Sequence, residues 1–144
     1  MNARRPNYLG ILAGAIVMFA WGAIWYTVLG NAWLAAVGKT TDQLMRYGYA
    51  PYAVSFVASL FIAYCFDNML WHYETRNAKK GAQVGFLTGV CISTAMMVTE
   101  YAFQGQSVAL MLIDAGYGII GFVLSGATVG ALRARAARSA AAST

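Results

Sequence analysis

The sequence predicts an all-α integral membrane protein, with four transmembrane helices in an antiparallel bundle and a short interfacial helix between the first two. Three observations carry this reading. Hydrophobic residues make up 60% of the chain and charged residues 10%, too few charges to cover a water-facing surface. Four apolar runs reach the roughly 20 residues that a helix needs to cross hydrocarbon. Lysine and arginine gather at the ends of those runs, where a membrane protein puts them. That placement also sets nucleic acid aside as a partner, despite a net charge of +5.

The first run, YLGILAGAIVMFAWGAIWYTVLG, covers 8–30. Arg4 and Arg5 precede it, but it is too long for a signal-peptide core and shows no small-residue cleavage pattern. The next stretch, NAWLAAVGKTTDQLMRYGYA, is too polar to span. Thr40 followed three residues later by Gln43 has the form of a capping box, so a short helix lying on the interface is expected, with Trp33 and Leu34 as anchors. The second span is expected over 51–73, the third over 81–103 and the fourth over 108–132. Long continuous runs favour helices, and four strands are too few to close a barrel. The spans form one domain, 1–132, and the basic tail 133–144 is expected to be disordered, its first arginines near anionic headgroups.

Charge orients the bundle. Arg4, Arg5, Arg76, Lys79, Lys80, Arg133, Arg135 and Arg138 fall on one side, against Lys39 and Arg46 on the other. The positive-inside rule then makes both termini cytoplasmic, and the expected location is a bacterial inner membrane. Tyr8, Trp71 and Tyr73 lie near the inner interface, while Trp25, Tyr26, Trp33, Tyr47, Tyr49 and Tyr52 crowd the outer one.

Two acids stand out in MMVTEYAFQGQSVALMLIDAGYG. In span three, Gly81, Gly85, Gly89 and Ser93 recur at every fourth position, and Glu100 continues that face at 3.6 residues per turn. In span four, Asp114, Gly118, Gly121 and Ser125 share a face, and Gly126 and Gly130 form a separate GxxxG pair. Small residues let helices approach closely in lipid. The short turn between the spans brings Glu100 and Asp114 to similar depth, roughly 5 and 9 Å below the span ends at 1.5 Å per residue. A carboxylate there must pair, bind a cation or keep a proton. Candidate partners are Arg46, Lys39 and the hydroxyls of Tyr26, Tyr101 and Tyr117. The functional reading is an outward-facing site for an ion, a proton or a solute, built from Glu100, Asp114, Tyr117, Tyr26, Trp25 and Arg46. The structural reading has the same acids fixing the bundle.

Asp67, Asn68, His72 and Glu74 form a second polar group near the inner end of span two, read as snorkelling interface residues. Cys65 and Cys91 read as buried small hydrophobes. The chain has one histidine and no Walker loop, HExxH or CxxC. No metal site, cofactor or catalytic activity is expected.

These features resemble a family of bacterial membrane proteins called domain of unknown function 1761. The likeness rests on Gly22, Trp25 and Tyr26, then Gly30, Trp33 and Gly38, in WGAIWYTVLGNAWLAAVG. It extends to the last helix, IDAGYGIIGFVLSGATVGAL, with Gly116, Tyr117, Gly126 and Gly130, and so covers about 8–132. The family often has proline after the Trp-Tyr pair, where Thr27 and Val28 stand here. The resemblance implies a four-helix membrane protein and supplies no activity or site residues.

Two functions are consistent with the sequence. One is an accessory or structural subunit whose glycine faces dock onto a second copy or a larger membrane complex. The other is a proton- or cation-linked module for a small solute at Glu100 and Asp114.

Overall fold

The computed structural model describes residues 6–73 and 76–142. The described residues are helical with no strand, and four helices are long and apolar enough to cross a membrane, making this a multi-pass membrane protein. Helix α1 is Tyr8–Val28 and α2 is Gly30–Val37. Helix α3 is Thr41–Met45, α4 is Ala50–Trp71 and α5 is Ala78–Thr88. A π-helical turn, Gly89–Thr94, joins α5 to α6, Ala95–Phe103, and α7 is Val108–Ala141.

Each boundary has a local cause. Asn7 caps α1 by accepting the N–H of Gly10, and the helix breaks at Leu29, so Gly30 opens a new helix instead of closing the first span. The polar connection therefore holds two short helices. Trp33 and Leu34 sit on α2, and the Thr40–Gln43 capping box starts α3, with both reciprocal bonds present. Helix α2 ends on Gly38 at φ 67°, where a side chain would be strained. Pro51 lies in the first turn of α4, where no helical N–H is needed. Asn77 caps α5 through the N–H of Lys80, so the helix starts at Ala78, three residues before the expected start of span three.

The tail corrects the sequence reading. Residues after Leu132 continue as helix to Ala141. RARAARSAA is rich in alanine and arginine, the strongest helix formers, and no glycine or proline follows Gly130 to stop the helix.

Helix α7 is the hub and packs against α1, α4 and α5. Its glycines work in two directions. A Cβ on Gly81 or Gly85 would strike the carbonyl oxygen of Gly126 or Phe122, and one on Gly130 would strike that of Asn77. A Cβ on Gly89 would lie 3.2 Å from the Ile119 Cα, and one on Gly118 would lie 3.7 Å from Ser93 Oγ. The α5 face and the Gly126–Gly130 pair are thus two sides of one seam. The stripe with Gly121 and Ser125 turns instead to α1: a Cβ on Gly121 would lie 3.3 Å from Trp21, and one on Gly14 would lie 3.1 Å from Ser125 Oγ. Both small-residue faces are spent inside one chain.

The densest core lies toward the end that carries the chain termini, around Ile11, Ala15, Ala63, Phe66, Leu70, Val84 and Val129. At the opposite end the helices part. From Ala50 to Ala58 every residue of α4 except Phe56 is exposed, and Phe56 meets Phe19 edge to face at 5.6 Å between ring centroids. Cys65 and Cys91 are free and exposed on outward faces, not buried. A thiol is apolar enough to face lipid without a partner.

Candidate functional site

Asp114 lies in the second turn of α7, and both carboxylate oxygens accept tyrosine hydroxyls. Tyr26 of α1 donates to Oδ1 at 2.8 Å, and Tyr101 of α6 donates to Oδ2 at 2.8 Å. Bonds to an ionised acceptor are worth about 1.5–3 kcal/mol each, more than neutral ones. No ion pair to Asp114 is present among the described residues. Among the described residues its side chain is held by hydroxyl donors alone, and the clasp joins three of the four spans.

Aromatic residues build the surroundings. Trp25 Nε1 donates to the Ile113 carbonyl and Trp21 Nε1 to the Tyr117 carbonyl, each at 3.2 Å, so two indoles pin α1 along α7. Gly116 makes room for the first, since a Cβ there would lie 2.9 Å from the Trp25 ring. Gly22 does the same for Tyr117, which a Cβ would meet at 3.3 Å. Tyr117 stands one turn beyond Asp114, with its ring 5.2 Å from Tyr26, and Trp33 meets the other reach of Tyr26 at 5.5 Å. An open groove of about 500 Å³ runs beside this cluster, walled by Phe19, Tyr26, Thr27, Tyr52, Ser55 and Tyr117. Tyr26 belongs to both the groove wall and the carboxylate clasp.

The structure therefore brings Asp114, Tyr26, Tyr117 and Trp25 together, and adds Tyr101. It does not bring in Glu100 or Arg46. Glu100 is exposed and accepts the Gln104 side-chain N–H at 3.0 Å. Arg46 is exposed at the C-cap of α3. The displacement of Glu100 has a definite cause. A π turn closes i→i+5 bonds and so takes up about one residue more than an α turn. Across Gly89–Thr94 the face toward α7 moves on by one residue. Beyond it, Met97 and Tyr101 are partly covered, while Met96 and Glu100 are exposed. Tyr101 takes the place that uniform 3.6-residue spacing assigns to Glu100.

A second polar site departs from the sequence expectation. Asp67 does not snorkel: it is fully buried, and Arg133, 6% exposed, grips it with Nε on Oδ1 and Nη2 on Oδ2, both at 2.8 Å. The Asn7 backbone N–H adds a bond to Oδ2 at 3.3 Å, so the cap of α1 joins the site. The Arg133 guanidinium carbon stands 5.1 Å from the Trp71 ring centre, and that of Arg76 stands 4.6 Å from it. Arg133 is thus a bundle residue and not a headgroup anchor. The signal existed in the sequence. Ser59, Ala63 and Asp67 are spaced by four on span two, as are Gly121, Ser125, Val129 and Arg133 on span four. Extending both stripes past the small residues places acid against base. His72 is exposed, Asn68 is partly covered, and Glu74 lies outside the described residues.

A family model described as "Protein of unknown function (DUF1761)" matches residues 9–130. No curated protein and no solved structure gives a significant match.

Proposed function

The chain belongs to DUF1761, a family of unknown function, and from that premise we propose that it is a membrane-embedded binding module for a small organic cation, with Asp114 as the acidic group. The observation that supports this is an acid with two tyrosine donors and no cationic side chain among the described residues, set beside an aromatic groove. Cations favour the faces of aromatic rings, and the attraction grows where water is scarce. A cation in the groove meets the aromatic side chains of Tyr26, Tyr52 and Tyr117 that line it, and gains the field of the carboxylate behind Tyr26. Protonation of Asp114 would weaken that field, which links solute to proton. In this reading the termini are cytoplasmic, the membrane is the bacterial inner membrane, and α2 and α3 lie on the outer interface beside the groove mouth. The role is binding or transport and not catalysis.

The exposed reach of α4, Ala50 to Ala58, favours a second reading, an accessory subunit covered there by a second copy or a larger complex. The glycine faces add nothing to it, because they pack within the chain.

The test is titration of the full chain in detergent with tetraethylammonium and tetraphenylphosphonium, read by tryptophan fluorescence, because Trp21, Trp25 and Trp33 surround the site. Asp114→Asn should lower affinity at least roughly tenfold, the scale of one lost charge contact at a partly buried site. Binding that survives unchanged in Asp114→Asn, or no binding by the parent chain, rejects the cation reading and leaves the accessory subunit.

A further inference from the structure

We propose that the cleft beside the start of α5 binds an anionic phospholipid, with Lys79 and Lys80 on the phosphate and an apolar floor along an acyl chain. The cleft holds about 530 Å³ and lies at the opposite end of the bundle from Asp114. Lys79, Lys80 and Tyr73 line it on the side of the helix start, and Phe86, Leu87 and Val123 line it further along the helices. Lys80 Nζ is 4.1 Å from the Tyr73 ring centre, which holds one ammonium at the rim. Asn77 caps the helix through the Lys80 N–H, so both lysines project from its first turn, where the unpaired backbone N–H groups add positive potential. Among the described residues that line the cleft, none is acidic.

Charge and apolarity together select the occupant. Lysines beside an apolar channel, at the level where two spans leave the membrane, match a headgroup phosphate with its tail running down the helix. A free phosphate would use the lysines and leave the floor idle. Phe86 and Leu87 are 51% and 59% exposed, so the floor is open to a chain from the bilayer. The assignment does not depend on which leaflet the termini face, nor on the role of Asp114.

The full chain, delipidated in a neutral detergent, would be titrated with phosphatidylglycerol and phosphatidylcholine and read by native mass spectrometry. Phosphatidylglycerol should bind roughly tenfold or more tightly, and K79Q/K80Q should remove that preference, since each surface lysine near a lipid headgroup carries roughly a fivefold effect. K79R/K80R should keep it, and so should R135Q/R138Q, which alters exposed arginines outside the cleft. Equal binding of the two lipids overturns the proposal, as does a preference that survives K79Q/K80Q. An equal loss in R135Q/R138Q would mean diffuse attraction and no site. Displacement of the lipid by millimolar inorganic phosphate would assign a free-anion site instead. Efficient Lys79→Cys cross-linking between copies would assign the cleft to a second chain.

Discussion

Arg133 and Asp67 form a two-pronged ion pair, 66 positions apart in sequence, with both side chains buried. The pair joins α4 to α7 where α1 begins. In a bundle of mostly apolar contacts it is the most specific tie, because a guanidinium fork fits one carboxylate orientation.

Removing one partner should therefore cost more than removing both. Arg133→Met takes two charged bonds from a buried carboxylate and should destabilise the chain by about 1.5–3 kcal/mol, whereas Asp67→Leu with Arg133→Met should recover part of that loss. Unfolding by increasing sodium dodecyl sulfate, followed by tryptophan fluorescence, measures both. A single variant as stable as the parent would show that the pair is idle.

The seam between α5 and α7 makes a second prediction. Gly81 and Gly85 face backbone carbonyls that cannot move aside as a side-chain end can. Gly81→Ala or Gly85→Ala should cost about 1–3 kcal/mol by overpacking, and Gly89→Leu at least as much. Gly30 has nothing within 4 Å of its missing Cβ, so Gly30→Ala should be nearly neutral. Equal melting temperatures for the Gly81 and Gly30 variants would contradict the packing.

The architecture was legible because it follows from burial. Apolar length set the four spans, and the spacing of Gly81, Gly85 and Gly89 marked a close face. The Thr40–Gln43 cap was legible for a local reason, since both bonds lie within four residues. The site was legible only in part. Tyr26 and Tyr101 are the hydroxyl partners that sequence offered to Asp114, yet Glu100 was misplaced, because no residue in GVCIST announces a π turn. The Asp67–Arg133 pair is not legible from hydropathy, because charges near span ends usually reach water and hydropathy along the stripe Asp114, Gly118, Gly121 and Ser125 gives no sign that it runs on to Arg133. The end of α7 is hidden for a related reason: hydropathy falls at Arg133, but helix propensity does not.

Orientation gives a third prediction. Eight basic residues with the termini against two on the other side predict cytoplasmic termini. With Cys65 and Cys91 replaced by serine, a membrane-impermeant maleimide added to intact cells should label Gln104→Cys and spare Lys79→Cys. The reverse pattern would put the Asp114 groove on the cytoplasmic side.

The clasp on Asp114 gives the last prediction, and it discriminates between two neighbours in sequence. Uniform helical spacing turns Glu100 toward α7, but the π turn at Gly89–Thr94 turns Tyr101 there instead. Tyr101→Phe and Tyr26→Phe each remove one donor from a carboxylate with no cationic side chain beside it among the described residues, so each should cost about 1.5–3 kcal/mol. Glu100→Gln changes an exposed side chain bonded to Gln104, so it should stay within about 0.5 kcal/mol of the parent. The two tyrosines serve one carboxylate, so their losses should not add, and the double variant measures that coupling. Infrared difference spectra of the carboxylate band supply a second readout. Its stretch should shift in Tyr101→Phe, where a bond to the carboxylate is lost, and lose only the Glu100 contribution in Glu100→Gln. A large stability loss in Glu100→Gln together with a silent Tyr101→Phe would mean that the third span has no π turn and that the site includes Glu100 after all.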